Sequence, residues 1–513
     1  MFLSEKLIFG VGRFEQGAGH LRSGGVDRPI GSNPISMVFG CSGKLRKVAM
    51  GVGSSVGRQA GPVLGRFSVW SRMGTRRAQP VEVRSRDEFL HPGGDLRTLP
   101  PGTILRSRRV ELALFGLVPQ RVSAWQLVYR STDMHGHPEV AVTTVVLPAD
   151  ADPDVERPLL AFESAIDAVT ERSAPSYALR RRSRAHGSIT PIEWPLMIAN
   201  AVRRGWAVSI SDHGGPQGNF GAPREPGYRT LDGVRAALSF EALGLGDGSP
   251  IVVWGYSGGG MAASWTVEMA PAYAPELDIT AAVLGAPVGD PAQVLVRLSG
   301  GLFAGFPAMV IAALRRLYPV VERVIDAHMR PGGYRLLEQA KTLTPLLTLL
   351  RLAGRDFDDH LDRPLADILA EPEMVAMLDD LRLGGHAPAC PLLVIQPVHD
   401  QVIHRECVDA QVNRYRDHGA TVVYVRDRLS EHFTLMALST PLALNWLSDR
   451  LAGLPITESG TRTVWSVATA PGVWRGYLEM ADTALRVTLG MPLRDSRTRP
   501  GPGRRGGELR ETA

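Results

Sequence analysis

Between residues 122 and 447 the apolar positions switch repeatedly between two periods. Residues 122–129 (VSAWQLVY) and 139–147 (EVAVTTVVL) alternate or run apolar, with Asp133, Gly136 and Pro138 as turn residues between them, which predicts an antiparallel pair. Residues 158–162, 206–211 (WAVSIS), 251–254, 279–284, 391–396 (PLLVIQ) and 421–425 are short apolar runs of the kind buried on both faces of a parallel sheet. Segments of helical spacing stand among these runs: 195–204, ended by Gly205, then 230–242 with Leu231, Val234, Ala237 and Leu238 in phase, and 407–416. This alternation predicts an α/β chain with a mostly parallel central sheet flanked by helices.

The rhythm breaks at about 288–388, which is rich in Leu, Ala and Arg and helical in period at 306–324 and 361–383. Lying between two sheet strands, it reads as a helical lid or cap insertion within a catalytic domain of residues 81–455. Residues 1–80 are rich in Gly, Ser and Arg without a sustained period and read as a disordered leader. Residues 456–513 form a C-terminal extension, with one amphipathic helix expected within 464–489 that packs on the domain, or else on a membrane surface, and a disordered end from 494.

Composition narrows the class. The 513 residues leave room for one large catalytic domain with insertions, and 44% hydrophobic against 21% charged residues is a folded, globular mixture rather than a disordered one. The net charge of +5 is small for this length. Short arginine runs such as Arg180–Arg182 and Arg504–Arg505 lack interleaved aromatics, so they read as solvated faces and not as a nucleic-acid groove. Three cysteines, Cys41, Cys390 and Cys407, allow at most one disulfide. No run approaches the roughly 18 apolar residues of a membrane span, and residues 1–40 carry no apolar core of a signal peptide. Cys41 follows Val38-Phe39-Gly40, a faint lipoprotein-like pattern with no apolar segment before it. No metal-ligand spacing or nucleotide-binding glycine loop occurs in a supporting context, so no cofactor is implied.

The chemistry concentrates at Gly255-Tyr256-Ser257-Gly258-Gly259, a G-x-S-x-G pattern between an apolar strand run and a helical run. A serine on such a turn needs small neighbours, points away from the sheet, and is followed by an amide aimed at the substrate oxygen. Its hydroxyl is a poor nucleophile without a base, so a carboxylate and a histidine must follow in the order Ser, Asp, His. Asp400 stands just after PLLVIQ, and His432 follows the next strand at the head of the final helical run, 434–447. His399, His404 and His418 precede that last strand; Glu431 adjoins His432 too closely in sequence to orient its ring. The pattern predicts a serine hydrolase of the α/β-hydrolase fold. Its oxyanion donors are the Gly258 amide and a group from the loop after residues 158–162, or else the His213-Gly214-Gly215 segment.

Several further stretches occur in one order: residues 101–107 (PGTILRS), 129–133 (YRSTD), Asp167 with 174–177 (APSY), 212–216 (DHGGP) and 231–237 (LDGVRAA). Together with the Ser257, Asp400 and His432 loops, they resemble the secretory lipase family, the Candida antarctica lipase A-like members of the α/β-hydrolase superfamily, over about residues 88–450. The resemblance implies that Asp167 joins the Gly258 amide as an oxyanion donor, that 288–388 is a lid, that the substrate is a small-molecule or lipid ester with transient contact to a lipid interface, and that the protein is secreted or in the cell envelope; with no clear signal peptide, a cytoplasmic location is the alternative. Ser173 stands where the family often carries cysteine. Hydrolysis of acyl esters by an acyl-enzyme is the leading expectation. Acyl transfer or amide hydrolysis on the same three residues, and a non-catalytic lipid-binding homologue, are the alternatives.

Overall fold

The computed structural model describes residues 87–388 and 390–496. The expected leader, Cys41 and the Arg504–Arg505 run lie outside the described residues. Ten strands make one sheet: β1 Ile104–Arg109, β4 Ser123–Thr132, β5 Pro138–Leu147, β6 Leu159–Glu163, β7 Ala207–Ser211, β8 Ile251–Tyr256, β9 Ile279–Gly285, β10 Leu392–Pro397, β11 Val422–Asp427 and β12 Gly460–Val464. Two short strands, β2 Ala113–Leu114 and β3 Val118–Pro119, form a separate hairpin. The order across the sheet is β1-β4-β5-β7-β6-β8-β9-β10-β11-β12. Antiparallel pairing joins β1, β4, β5 and β7, and from β7 onward every pair is parallel. The expected antiparallel pair is β4 with β5, in unbroken register from Ser123↔Leu147 to Thr132↔Pro138.

Burial follows this topology. Every residue of β6, β7, β8 and β10 is buried, as central parallel strands covered on both faces require. One apolar cluster lies under the Glu225–Ser239 and Gly258–Tyr273 helices, with Leu231, Val234, Met261 and Trp265 set against Leu159, Val253 and Val394. A second lies on the opposite side of the central strands, as the alternation of their side chains dictates, with Trp194, Ile198, Leu444 and Val487 packed on Leu160, Trp254 and Ile395. The insertion between β9 and β10 is helical and carries a third cluster, in which Met309, Leu337, Leu352, Phe357 and Leu378 pack together.

Proline sets the helix boundaries that periodicity alone blurs. The helical pattern at 306–324 is two helices, Gly305–Leu317 and Pro319–His328, and the pattern at 434–447 is His432–Leu438 followed by Thr440–Leu451. In both cases a proline opens the second helix, where its missing N–H costs nothing. The expected helix near the C-terminus spans Val473–Thr488, and β12 precedes it as an exposed strand at the sheet edge. Cys390 and Cys407 are buried free thiols. Among the described residues no helix is long and apolar enough to cross a membrane.

Candidate active site

Ser257 occupies the turn between β8 and the Gly258–Tyr273 helix at φ 56°, ψ −121°, a backbone state that a non-glycine residue adopts only when its surroundings enforce it. Two hydrogen bonds do so: the Ser257 N–H donates to the Gly285 carbonyl at 2.8 Å, and the Ser257 carbonyl accepts from the Met261 N–H at 2.9 Å. The flanking glycines are steric necessities. A Cβ on Gly255 would stand 2.1 Å from the Gly259 carbonyl oxygen, one on Gly259 would stand 2.0 Å from that of Glu163, and one on Gly258 would stand 1.8 Å from Asp167 Oδ1.

The three residues singled out by their order in the chain meet at the carboxyl ends of β8, β10 and β11. Ser257 Oγ lies 2.9 Å from His432 Nε2, and His432 Nδ1 lies 2.8 Å from Asp400 Oδ2. All three are buried. Asp400 is held by a tight turn: its Oδ1 accepts from the N–H groups of Val402 and Ile403, both at 2.7 Å, and Gln396 Nε2 donates to Oδ2 at 3.1 Å. With those lone pairs occupied, Oδ2 faces the imidazole and fixes the tautomer that leaves Nε2 free to accept a proton. The backbone of His432 is fixed as well. Tyr256 Oη donates to its carbonyl at 2.6 Å and its N–H donates to Gln401 Oε1 at 3.2 Å.

The other candidates fall elsewhere. Glu431 is the cap of the His432–Leu438 helix, accepting from Phe433 N–H and Thr434 N–H, so its carboxylate is committed to the backbone. His399, His404 and His418 are exposed. His213 Nε2 lies 2.8 Å from the Ser164 carbonyl oxygen and so braces the loop after β6. Burial pushes its pKa down to about 4, so the ring is neutral at pH 7 and donates that bond.

Asp167 sits in the loop after β6, at φ 43°, buried beside Gly258. Burial pushes its carboxyl up to about 7 against a smaller opposing pull from His432, and Oδ1 has no hydrogen-bond partner. Glu193 lies close beneath: it accepts from the Ala165 N–H at 2.9 Å and from the Ser164 hydroxyl, and burial pushes it up to about 7. Glu163, bonded to the Thr230 hydroxyl at 2.8 Å, is pushed up to about 8 by burial. The loop that carries Asp167 therefore rests on acidic side chains that hold their protons near neutrality. Sequence reasoning missed Glu193, Tyr256, Gln396 and Gln401: the first, second and fourth bond backbone groups of distant segments, and Gln396 donates to the Asp400 carboxylate four residues on, neither of which a spacing rule marks.

The insertion touches this rim. Phe303, from the segment between the Pro291–Leu298 and Gly305–Leu317 helices, packs 5.6 Å from the Phe433 ring, which stands edge-on to the His432 ring at 5.2 Å. Arg297 on the Pro291–Leu298 helix donates to the Asp400 carbonyl at 3.0 Å. Among the described residues no group of three or more His, Cys, Asp and Glu side chains is placed to hold a metal ion.

A model of the secretory lipase family matches residues 179–459. A protein of Mycobacterium tuberculosis, named a probable inactive lipase, is 48% identical over 418 residues, covering 82% of this chain and 93% of that relative. A secreted triacylglycerol lipase of Malassezia globosa is 31% identical over 405 residues, covering 75% of this chain and 87% of the relative. Among solved structures, Candida antarctica lipase A superposes with a TM-score of 0.69 at 24% identity, over 81% of this chain and 98% of that one.

Proposed function

The chain belongs to the secretory lipase family, and we propose that it is a serine-dependent carboxylic ester hydrolase that cleaves acylglycerols or related lipid esters through an acyl-enzyme. The observation that carries this reading is the run of contacts from Ser257 Oγ to His432 Nε2 at 2.9 Å and from Nδ1 to Asp400 Oδ2 at 2.8 Å, on a turn held at φ 56°. His432 Nε2 takes the Ser257 proton as Oγ attacks the ester carbonyl carbon. Asp400 stabilises the imidazolium that forms. The carbonyl oxygen, now carrying a negative charge, meets the Gly258 N–H, which has no acceptor inside its own helix, and the Asp167 O–H. His432 then gives its proton to the leaving alkoxide, and water repeats the sequence on the acyl-serine. The 288–388 insertion acts as the lid, with Phe303 over Phe433 closing the approach to the imidazole.

The name of the Malassezia globosa relative supports a triacylglycerol substrate. That of the mycobacterial relative favours a second reading, a lipid-binding protein without turnover. A fluorophosphonate separates the two. Covalent labelling that disappears in Ser257→Ala, together with release of p-nitrophenol from a series of acyl esters, supports the hydrolase; an unlabelled, folded protein would overturn it. Adding a competing alcohol and analysing products distinguishes hydrolysis from acyl transfer.

A further inference from the structure

Away from Ser257, the β2–β3 hairpin presents its tip to solvent. Phe115 and Leu117 there are 52% and 81% exposed. Phe115 at φ 51° and Gly116 at φ 73° are the two central residues of the turn closed by the Leu117 N–H on the Leu114 carbonyl at 3.0 Å, and this turn carries the exposed Phe115 ring. The hairpin is tied to the segment that follows Asp167. The Ala113 N–H donates to the Leu179 carbonyl, the Arg181 N–H to that of Glu111, and the Arg182 N–H to that of Gly116, all between 2.8 and 2.9 Å.

Those bonds fix Arg180–Arg182 against the hairpin, and with Arg108 and Arg109 they line an open cleft. Five guanidinium groups face two carboxylates. Asp87 accepts from Arg108 and Arg180, and Glu111 from Arg181; Arg109 and Arg182 have no carboxylate within ion-pair distance among the described residues. The return strand also meets the end of the Val473–Thr488 helix: Gln120 Nε2 donates to the Val487 carbonyl at 2.9 Å and the Leu493 N–H to that of Arg121 at 3.1 Å. That end of the helix leaves Leu485, Leu489 and Met491 exposed.

We propose that this surface docks on an anionic phospholipid layer, with Phe115 and Leu117 entering the acyl boundary and the arginines meeting headgroup phosphates. An apolar wedge alone suits many partners, and a basic cleft suits any polyanion. Their coincidence selects a partner with negative charge outside and hydrocarbon beneath. The choice of a lipid partner rests on the lipid-ester reading, but docking needs no chemistry at Ser257.

The test is flotation of the full-length Ser257→Ala chain with vesicles of phosphatidylcholine alone and of phosphatidylcholine mixed with phosphatidylglycerol. Binding should require phosphatidylglycerol and weaken with salt. Phe115→Ser with Leu117→Ser should reduce it by roughly tenfold or more. Each arginine near an anionic surface is worth roughly fivefold, so Arg109→Gln with Arg182→Gln should cost roughly 25-fold. An unchanged thermal midpoint certifies each variant, and the solvent-facing arginine pair keeps the test open if the hairpin pair misfolds. Equal binding to both vesicle types, or binding indifferent to both variants, would overturn the proposal. So would a dimer in vesicle-free solution that Phe115→Ser dissolves, or preferential capture of a single-stranded oligonucleotide. Fluorophosphonate labelling of the wild-type chain is scored separately, so loss of the hydrolase reading and loss of the docking surface give different results.

Discussion

On the two flanks of Ser257, the Asp400–His432 pair and Asp167 are hydrogen-bonded to different degrees. Toward β10 and β11, both carboxylate oxygens of Asp400 and both ring nitrogens of His432 have partners between 2.7 and 3.1 Å. Toward β6, Asp167 Oδ1 has none, although a buried polar group without a partner costs about 1–3 kcal/mol. The saturated flank needs only a fixed geometry, because its proton path is complete before substrate arrives. On the proposed reading, the unsaturated flank serves a charge that exists only in the transition state, and a donor already engaged there would have to be freed before it could act.

The largest losses are expected on the saturated flank. Ser257→Ala or His432→Ala should lower ester turnover by roughly 10^4- to 10^6-fold, and Asp400→Asn by roughly 10^4-fold, because the amide offers the imidazole the wrong tautomer. Stopped assays on a soluble p-nitrophenyl ester measure these losses. A His432→Ala enzyme within tenfold of wild type would mean that another base serves Ser257.

On the unsaturated flank the effect should be smaller and should depend on pH. Asp167→Ala removes one oxyanion donor and should cost roughly 100-fold in kcat. The wild-type carboxyl donates only while protonated, so kcat should fall as pH rises through about 7. Asp167→Asn keeps a donor at every pH and should lose that alkaline decline while holding activity within about tenfold of wild type. A decline that persists in Asp167→Asn assigns it to a different group.

The same carboxyls bear on stability, and the sign follows from their raised values. Asp167, Glu193 and Glu163 have ordinary pKa values of 3.8, 4.5 and 4.5 and sit at about 7, about 7 and about 8 in the fold, raised in each case by burial. The folded state binds more protons than the unfolded chain between these limits, so unfolding free energy should decline from about pH 4 to about pH 8. Urea melts across that range should show the slope, and Glu163→Gln should flatten its upper part. A free energy that rises over the interval would contradict the burial-driven shifts.

The saturated flank was also the more legible one. Gly255-Tyr256-Ser257-Gly258-Gly259 between an apolar run and a helical run marks the elbow because the glycines answer to clashes within the motif's own neighbourhood. Asp400 and His432 could be singled out because each lies on a short loop after a strand that reads clearly. Asp167 stands in the loop after the β6 run, but the role proposed for it comes only from the family resemblance, since what distinguishes it is burial against Gly258. Glu193, Gln401 and Tyr256 carried no signal, as each acts on a backbone group far away in sequence. The strand β12 escaped for a different reason. Gly460-Thr461-Arg462-Thr463-Val464 lies at an exposed edge, and without a buried face there is no apolar alternation to read. The helices of the insertion were visible as period, whereas the placement of Phe303 over Phe433 depends on where that insertion folds.

The finest probe of the comparison is Tyr256→Phe. Its hydroxyl donates to the His432 carbonyl at 2.6 Å and touches neither proton path nor oxyanion site. Removing it leaves a buried carbonyl without that donor, a cost of about 1–3 kcal/mol in stability. The ring should stay in place, because Asp400 still holds Nδ1 and Gln401 still receives the His432 N–H. We therefore expect kcat to fall by about fivefold with KM unchanged and the pH profile unmoved, since the altered bond positions the base without titrating. If kcat fell instead as far as in Asp400→Asn, the imidazole would depend on its main-chain anchor as much as on its carboxylate, and the redundancy assigned to this flank would be absent.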